Sequence, residues 1–174
     1  MTSDACPGFL PPGQPGPEVR ITGVEETEAL GQWLGERLQA GQALALSGEL
    51  GAGKTCLARG LARGLGVEEP DEVCSPTYLL VMEHPGERSM LHVDAYLPDK
   101  LRSFLEDGGI DYLAETRGVL VVEWAERIAD FLPVGTLWAR LEAATDPEVR
   151  RVCFYDPSGL FAWIAGIEEL FPGC

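Results

Sequence analysis

Short apolar runs and helical spacings alternate along this chain, and their order indicates a sheet whose strands are separated by helices. The runs at 43–46 and 119–122 have strand length, and the second is fully apolar, as is typical of buried parallel strands. Leu57, Leu61 and Leu65 recur every four residues after the first run, which is the spacing of one helix face. The other predicted strands are 19–22, 79–82, 90–93, 138–142 and 151–155, and the other predicted helices are 25–39, 100–106 and 159–170.

A single domain over residues 19–174 is expected to hold these elements, because the chain has single-domain length and shows no internal repeat. Residues 1–18 contain five prolines and three glycines without apolar periodicity, so we predict that they form a flexible tail. The last two strands, 138–142 and 151–155, are candidates for an antiparallel pair.

A phosphate-binding motif stands between the run at 43–46 and the helix that follows it. Residues 48–55 read Gly-Glu-Leu-Gly-Ala-Gly-Lys-Thr and fit the pattern G-x-x-x-x-G-K-[ST] without a gap. In such a loop, backbone N–H groups and the N-terminus of the next helix surround phosphate oxygens, and glycines permit the backbone angles. We therefore predict an α/β fold of the P-loop NTPase type, a three-layer sandwich around a mostly parallel sheet.

The candidate nucleotide contacts follow from this motif. Its lysine is expected to reach the β- and γ-phosphates, and the hydroxyl of its last residue is expected to bind Mg2+. Cys56 lies beside the phosphates near the start of the helix, either as a thiol of lowered pKa or as a small buried residue. The candidate nucleotide-binding residues are Gly48, Glu49, Leu50, Gly51, Ala52, Gly53, Lys54, Thr55 and Cys56.

Two predicted strands end in a carboxylate, which is Asp94 after 90–93 and Glu123 after 119–122. P-loop enzymes place an acid at this edge of the sheet, where it holds Mg2+ directly or through water. Both residues are therefore candidates for metal binding and for orienting the attacking water. The alternative for each is a solvated acid at the end of a strand, and the sequence does not distinguish which of them contacts the metal.

Three features near these acids have two interpretations each. Trp124 either packs in the core or rim, or covers the nucleotide site or a partner surface. The Ser-Pro-Thr segment at 75–77 is either a switch-like loop whose hydroxyls sense the γ-phosphate or a turn that enters a strand. His92, two residues before Asp94, is interpreted as a structural residue or as one that supports the site from outside.

Composition limits the kinds of binding partner and the cellular compartment that we expect. The net charge of −15 disfavours direct, tight binding of nucleic acid, so any involvement with RNA is expected to run through a partner. No apolar run approaches the roughly 20 residues that span a bilayer, and no basic segment precedes an apolar stretch at the N-terminus. The five cysteines form no C-x-x-C pair, which argues against a zinc site. We expect a cytoplasmic protein without membrane contact.

Four separated segments together resemble the TsaE-type ATPases of bacterial tRNA threonylcarbamoyladenosine biosynthesis. They are the motif at 48–55, Ser-Pro-Thr-Tyr at 75–78, His-Val-Asp-Ala-Tyr at 92–96 and Glu-Trp at 123–124. The resemblance implies slow hydrolysis of ATP with Mg2+, in support of partner proteins that install threonylcarbamoyl on adenosine 37 of tRNAs reading ANN codons. These partners are the threonylcarbamoyl-transferase subunits of the tRNA-modifying complex, and tRNA is contacted only indirectly.

The resemblance also implies roles for matching residues. The catalytic set is Glu123, Asp94 and Lys54, and the metal set is Thr55, Glu123 and Asp94. Thr27 and Trp124 are placed near the nucleotide, although on its own Thr27 is most simply explained as a helix N-cap. The chain departs from the family pattern at Cys56, Cys74 and Leu97, where a second threonine, a basic residue and an arginine are usual.

Two alternative functions remain on the same scaffold: a small-molecule or nucleoside kinase, and a non-catalytic nucleotide-dependent interaction module, against which the strand-end acids argue weakly. Such a kinase needs a mobile lid with arginines, and Arg88, Arg102 and Arg117 do not form a clustered lid pattern. Arg59 and Arg63 are expected on the outer face of the P-loop helix, so no arginine finger is identified. Because such a finger contributes about 10³–10⁵ in rate in other NTPases, intrinsic turnover is expected to be slow.

Overall fold

The computed structural model describes residues 9–171, and they form a seven-stranded mixed sheet with helices on both faces. The strands are β1 (Pro15–Thr22), β2 (Ala43–Ser47), β3 (Val81–His84), β4 (Met90–Asp94), β5 (Val119–Glu123), β6 (Leu137–Ala143) and β7 (Val149–Tyr155). The α-helices are α1 (Gly23–Arg37), α2 (Lys54–Leu65), α3 (Pro98–Phe104) and α4 (Ile110–Ala114), with a π-helical turn at Leu105–Gly109. Short 3-10 segments are Pro70–Glu72, Ala125–Arg127, Ala129–Phe131 and Ala162–Glu169.

The strand that precedes the P-loop lies in the middle of the sheet, whose order is β1-β7-β6-β2-β5-β4-β3. Strand β2 runs parallel to β5 and β6, and β4 runs parallel to β5. The other pairs, β1 with β7, β6 with β7 and β3 with β4, are antiparallel. The α/β class with parallel central strands is confirmed, and so is the antiparallel pairing of the last two strands.

Apolar side chains on the two faces of the sheet form two cores, which gives the predicted three layers. Helices α1 and α2 cover one face with Leu34 and Leu61, among others, against Leu44. Leu101 of α3 and Leu113 of α4 pack with the other face. Every residue of β2 is buried, as expected for a strand covered on both sides.

Helices α1 and α2 are packed backbone against backbone because glycines line their contact. A Cβ atom added at Gly60 would lie 2.7 Å from the Cα atom of Glu28, and one at Gly64 would lie 2.9 Å from the Cα atom of Gly35. Arg59 and Arg63 of α2 bind the Glu28 carboxylate of α1 and keep 32 % and 34 % of their side chains exposed. As predicted, neither of them lines the candidate cavity. The close approach lets these two long side chains reach the facing helix.

Arg88 ties the C-terminal ends of the same two helices together. Its guanidinium donates to the carbonyl oxygens of Gly35 at 2.9 Å, Leu38 at 2.5 Å and Gly64 at 2.8 Å. These are carbonyls that a helix end leaves without an intrahelical donor, so a cation there both satisfies them and opposes the helix dipole. Arg88 therefore has a structural role, since it joins the ends of two helices.

Several element boundaries differ from the predicted ones. Strand β1 begins at Pro15 rather than at 19, and Phe9 packs on Trp138 with ring centroids 5.4 Å apart, so the predicted tail holds ordered contacts. Residues 1–8 of that tail lie outside the described part of the chain. Strand β3 begins at Val81, two residues late, because Leu80 adopts a left-handed backbone with φ of 70°. In residues 9–171, no helix is long and apolar enough to cross a membrane.

Candidate functional site

The loop between β2 and α2 curls around the N-terminus of α2 through glycines with left-handed backbone angles. Gly53, with φ of 103°, immediately precedes the first helical residue, Lys54. Gly48 has φ of 143°, and a side chain on it would collide with the backbone of Leu141 on β6. A β-carbon is therefore blocked by a close contact at Gly48 and disfavoured by the backbone angle at Gly53. The loop leaves the first N–H groups of α2 facing outward for an anion.

Lys54 is buried and folded back on the loop. Its Nζ donates to the carbonyl oxygens of Gly48 at 2.7 Å and Glu49 at 2.8 Å, and it lies 3.8 Å from the ring centroid of Trp124. Burial lowers the pKa of the Lys54 ammonium, and the nearby Glu123 carboxylate acts in the opposite direction. The ammonium thus remains beside the loop in a position from which a phosphate can compete for it.

Asp94 and Glu123 are brought together by the register of the sheet, as neighbours directly opposite each other on β4 and β5. The hydroxyl of Thr55 donates to Glu123 Oε2 at 2.9 Å, and His92 Nε2 lies 2.9 Å from Glu123 Oε1. Both carboxyl groups are almost fully buried, with 2 % of each residue exposed. They are therefore not solvated strand-end acids.

The Ser-Pro-Thr segment contacts the other acid. Thr77 Oγ1 donates to Asp94 Oδ2 at 2.7 Å, and the Ser75 hydroxyl donates to the same oxygen. Asp94 Oδ1 accepts the backbone N–H of Tyr96 at 2.9 Å. The turn is closed by a bond from the Leu80 N–H to the Pro76 carbonyl at 2.6 Å. The hydroxyls are thus held at the site, and a switch function for this loop stays a prediction.

Trp124 forms one wall of the site. It follows Glu123 with a left-handed backbone (φ of 57°), which turns its ring from the end of β5 toward Lys54. Its ring packs on that of Tyr96 with centroids 5.0 Å apart, and the Arg127 guanidinium lies 5.4 Å from its centroid. The Arg127 side chain also donates to the Tyr96 carbonyl at 2.9 Å, which fixes this wall.

Thr27 and Cys56 both lie next to the phosphate loop. The Thr27 hydroxyl donates to the Gly23 carbonyl at 2.6 Å inside α1, and Thr22 is the N-cap residue, so the N-cap interpretation is wrong. Its methyl group lies 3.7 Å from the position of a Cβ on Gly53, which places it next to the phosphate loop. Burial raises the pKa of the Cys56 thiol, which favours the interpretation as a small, partly buried residue.

A cavity of about 480 Å³ opens over this arrangement. Of the predicted residues, Gly48, Glu49, Ala52 and Thr27 do not line it. Tyr78 and Tyr96 line it without having been assigned a role, although both stand in the segments on which the family resemblance rests. The lining residues are Leu50, Gly51, Gly53, Lys54, Thr55, Cys56, Ser75, Thr77, Tyr78, Asp94, Tyr96, Glu123 and Trp124.

The oxygen donors of this site have the chemistry that Mg2+ prefers. Within residues 9–171, no cluster of three or more acidic, histidine or cysteine side chains forms a metal cage. The site instead offers the Thr55 hydroxyl beside the carboxylates of Glu123 and Asp94. Mg2+ is typically held by one or two carboxylates, water and substrate phosphates, so this donor set suits it.

Comparison with known proteins agrees with the motifs and the fold. Residues 21–152 match the family model described as "Threonylcarbamoyl adenosine biosynthesis protein TsaE". The chain is 38 % identical over 123 residues to the "tRNA threonylcarbamoyladenosine biosynthesis protein TsaE" of Treponema pallidum, an alignment that covers 71 % of this chain and 89 % of the relative. It is 40 % identical over 141 residues to the protein of the same name from Mycobacterium tuberculosis, and that alignment covers 73 % of this chain and 79 % of the relative.

A solved structure shows the same fold. The crystal structure of Bacillus subtilis YdiB superposes with a TM-score of 0.73 at 28 % identity, covering 90 % of this chain and 95 % of that one. The family match spans both the P-loop and the two strand-end acids. The chain therefore belongs to the TsaE family.

Proposed function

We propose that this chain binds ATP with Mg2+ at the P-loop and hydrolyses it slowly, in support of threonylcarbamoylation of adenosine 37 in tRNA by partner proteins. The observation that carries the proposal is the 2.9 Å bond between the Thr55 hydroxyl and Glu123 Oε2. It joins the phosphate-binding helix to the acid on the adjacent strand. The names of the relatives, which are tRNA threonylcarbamoyladenosine biosynthesis proteins, support the pathway.

The phosphates are expected to replace contacts that the loop now makes with itself. The Lys54 ammonium would exchange the Gly48 and Glu49 carbonyls for phosphate oxygens, which are stronger, charge-assisted acceptors. The N-terminal N–H groups of α2 would donate to the same anion. The ring of Trp124 would remain as the wall beside the phosphates, since the backbone after β5 directs it there.

Thr55, Glu123 and Asp94 are the residues that would hold Mg2+. The ion would neutralise phosphate charge, and Thr55 would contribute its hydroxyl oxygen. Glu123 and Asp94 lie side by side at the carboxyl ends of β4 and β5, where each can also accept a hydrogen bond from the attacking water. Ser75 and Thr77 keep one Asp94 oxygen fixed, which orients the remaining carboxylate oxygen.

The charges around the cavity support slow turnover and dependence on a partner. Among the described residues that line it, Lys54 is the one cation. A second positive group, such as an arginine supplied by a partner, would stabilise the charge of the transition state. The net charge of −15 also favours action through the threonylcarbamoyl-transferase subunits over a direct grip on tRNA.

The proposal is tested by reconstituting tRNA modification from purified transferase subunits, tRNA and ATP, with and without this chain. We expect modification that depends on the chain and is lost with Glu123→Ala, while the exposed Glu115→Ala variant behaves like the wild type. Modification that proceeds equally well without the chain would remove the proposed function. Phosphate transfer from ATP to a small-molecule acceptor would favour the kinase alternative.

A further inference from the structure

The two histidines of this chain lie next to each other under the candidate site. His84 on β3 and His92 on β4 are buried, with 8 % and 0 % of each residue exposed. Their ring centroids are 6.0 Å apart. His92 pairs in register with Val121, and Glu123 stands two residues further along β5, so the imidazole and the carboxylate face the same side of the sheet.

Each carboxylate oxygen of Glu123 faces a different hydrogen-bonding group. Oε2 accepts the Thr55 hydroxyl, and Oε1 lies 2.9 Å from His92 Nε2. An ionised carboxylate only accepts hydrogen bonds, so His92 Nε2 must carry the hydrogen. The tautomer of His92 is therefore set by Glu123.

The other nitrogen of the same ring supports this assignment. Within the described residues, His92 Nδ1 is fully buried and has no hydrogen-bond partner. A hydrogen on Nδ1 would be a buried donor without an acceptor, which is costly. Burial and the closeness of His92 lower the pKa of His84.

We propose that His92 is a positioning residue whose Nε2–H donates to Glu123 Oε1, which fixes that oxygen and leaves Oε2 to serve Thr55 and the metal. His92 acts through Glu123 and does not line the cavity. Its effect on hydrolysis rests on the proposed function, whereas its tautomer does not. The two claims can therefore fail separately.

The tautomer is measured by long-range 1H–15N correlation spectra of the full-length, ligand-free protein. Since the chain has only two histidines, the spectrum contains two imidazole patterns, and a His84→Gln variant leaves the one of His92. We expect the hydrogen that faces Glu123 to be on Nε2 of His92. A ring with its hydrogen on Nδ1 and none on Nε2 would overturn the assignment whatever the protein does with ATP.

The positioning role is measured by comparing His92→Leu with His92→Gln. Glutamine offers an N–H donor close to the position of Nε2, and leucine offers none. We expect His92→Leu to lower ATP turnover about 10- to 100-fold with ATP affinity in the absence of Mg2+ retained, and His92→Gln to recover most of that loss. Full turnover in His92→Leu, or equal loss in both folded variants, would refute the role. Absence of ATP binding by the wild type would instead count against the proposed function.

Discussion

The backbone contact between α1 and α2 predicts that Gly60→Ala destabilises the protein even though alanine favours helices. Gly60 lies inside α2, and a β-carbon there would overlap the Glu28 carbonyl and lie 2.7 Å from the Glu28 Cα atom. Carbon atoms in contact normally stand about 3.5–4.0 Å apart, so the helices must separate by roughly 1 Å. The clash is with backbone on the facing helix, which cannot rotate away.

The magnitude follows from two opposing contributions. Overpacking a rigid contact typically costs about 1–3 kcal/mol, and this contact is at the upper end because a main-chain carbonyl is displaced. Replacing glycine by alanine inside a helix returns about 1 kcal/mol. We therefore expect a net loss of about 2 kcal/mol. Separation of the helices also strains the bond between Arg59 and Glu28, which stands at 3.3 Å.

The free energy of unfolding is measured by urea denaturation, with Gly166→Ala as the matched control. Gly166 is exposed in the 3-10 segment, has no atom within 4 Å of an added Cβ, and does not have a positive φ. The control is expected to be neutral or stabilised by up to about 1 kcal/mol. A Gly60→Ala variant that is as stable as Gly166→Ala would refute the argument that backbone contact holds these helices.

Three further predictions concern the site and its support. Glu123→Ala should retain ATP binding and lose about 100-fold or more in hydrolysis, because the acid proposed to orient the attacking water is removed. Phosphate release over time measures this loss, and unchanged turnover would exclude Glu123 from the reactive site. Arg88→Met should lower the free energy of unfolding by about 2–3 kcal/mol, because its charged hydrogen bonds to the helix ends are lost. The exposed Arg117→Met should change the free energy of unfolding by less than about 0.5 kcal/mol. Equal denaturation midpoints for the two variants would contradict the structural role of Arg88. In a variant whose other three tryptophans are replaced by phenylalanine, the fluorescence of Trp124 should change when ATP is added, because Lys54 moves away from the indole ring. A constant spectrum at saturating ATP would show that the contact between Lys54 and Trp124 persists.

The parts of the fold that depend on local pattern were predictable from the sequence. A local sequence pattern is enough to predict three features, which are the P-loop glycines, the apolar strands and the acids at the ends of β4 and β5. Their meeting at one edge follows from a general property of parallel sheets. The register that puts Asp94 directly opposite Glu123 is consistent with that property.

The parts of the fold and the site that could not be predicted depend on contacts between residues far apart in the chain. Nothing local indicates that Arg88 reaches the ends of two helices, or that Lys54 lies on the ring of Trp124. Thr27 was misread as a cap because α1 begins several residues earlier, directly after β1. Its place beside Gly53 results from the tight packing of α1 on α2, which the glycines of both helices permit.

The central claim is that the P-loop binds ATP through Lys54, and calorimetric titration of Lys54→Ala with ATP and Mg2+ tests it most directly. The chain has one other lysine, the exposed Lys100, so Lys100→Ala is the matched control. The account predicts that Lys54→Ala keeps the circular dichroism spectrum of the wild type and loses ATP binding, while Lys100→Ala binds ATP. Wild-type affinity in Lys54→Ala would contradict the account.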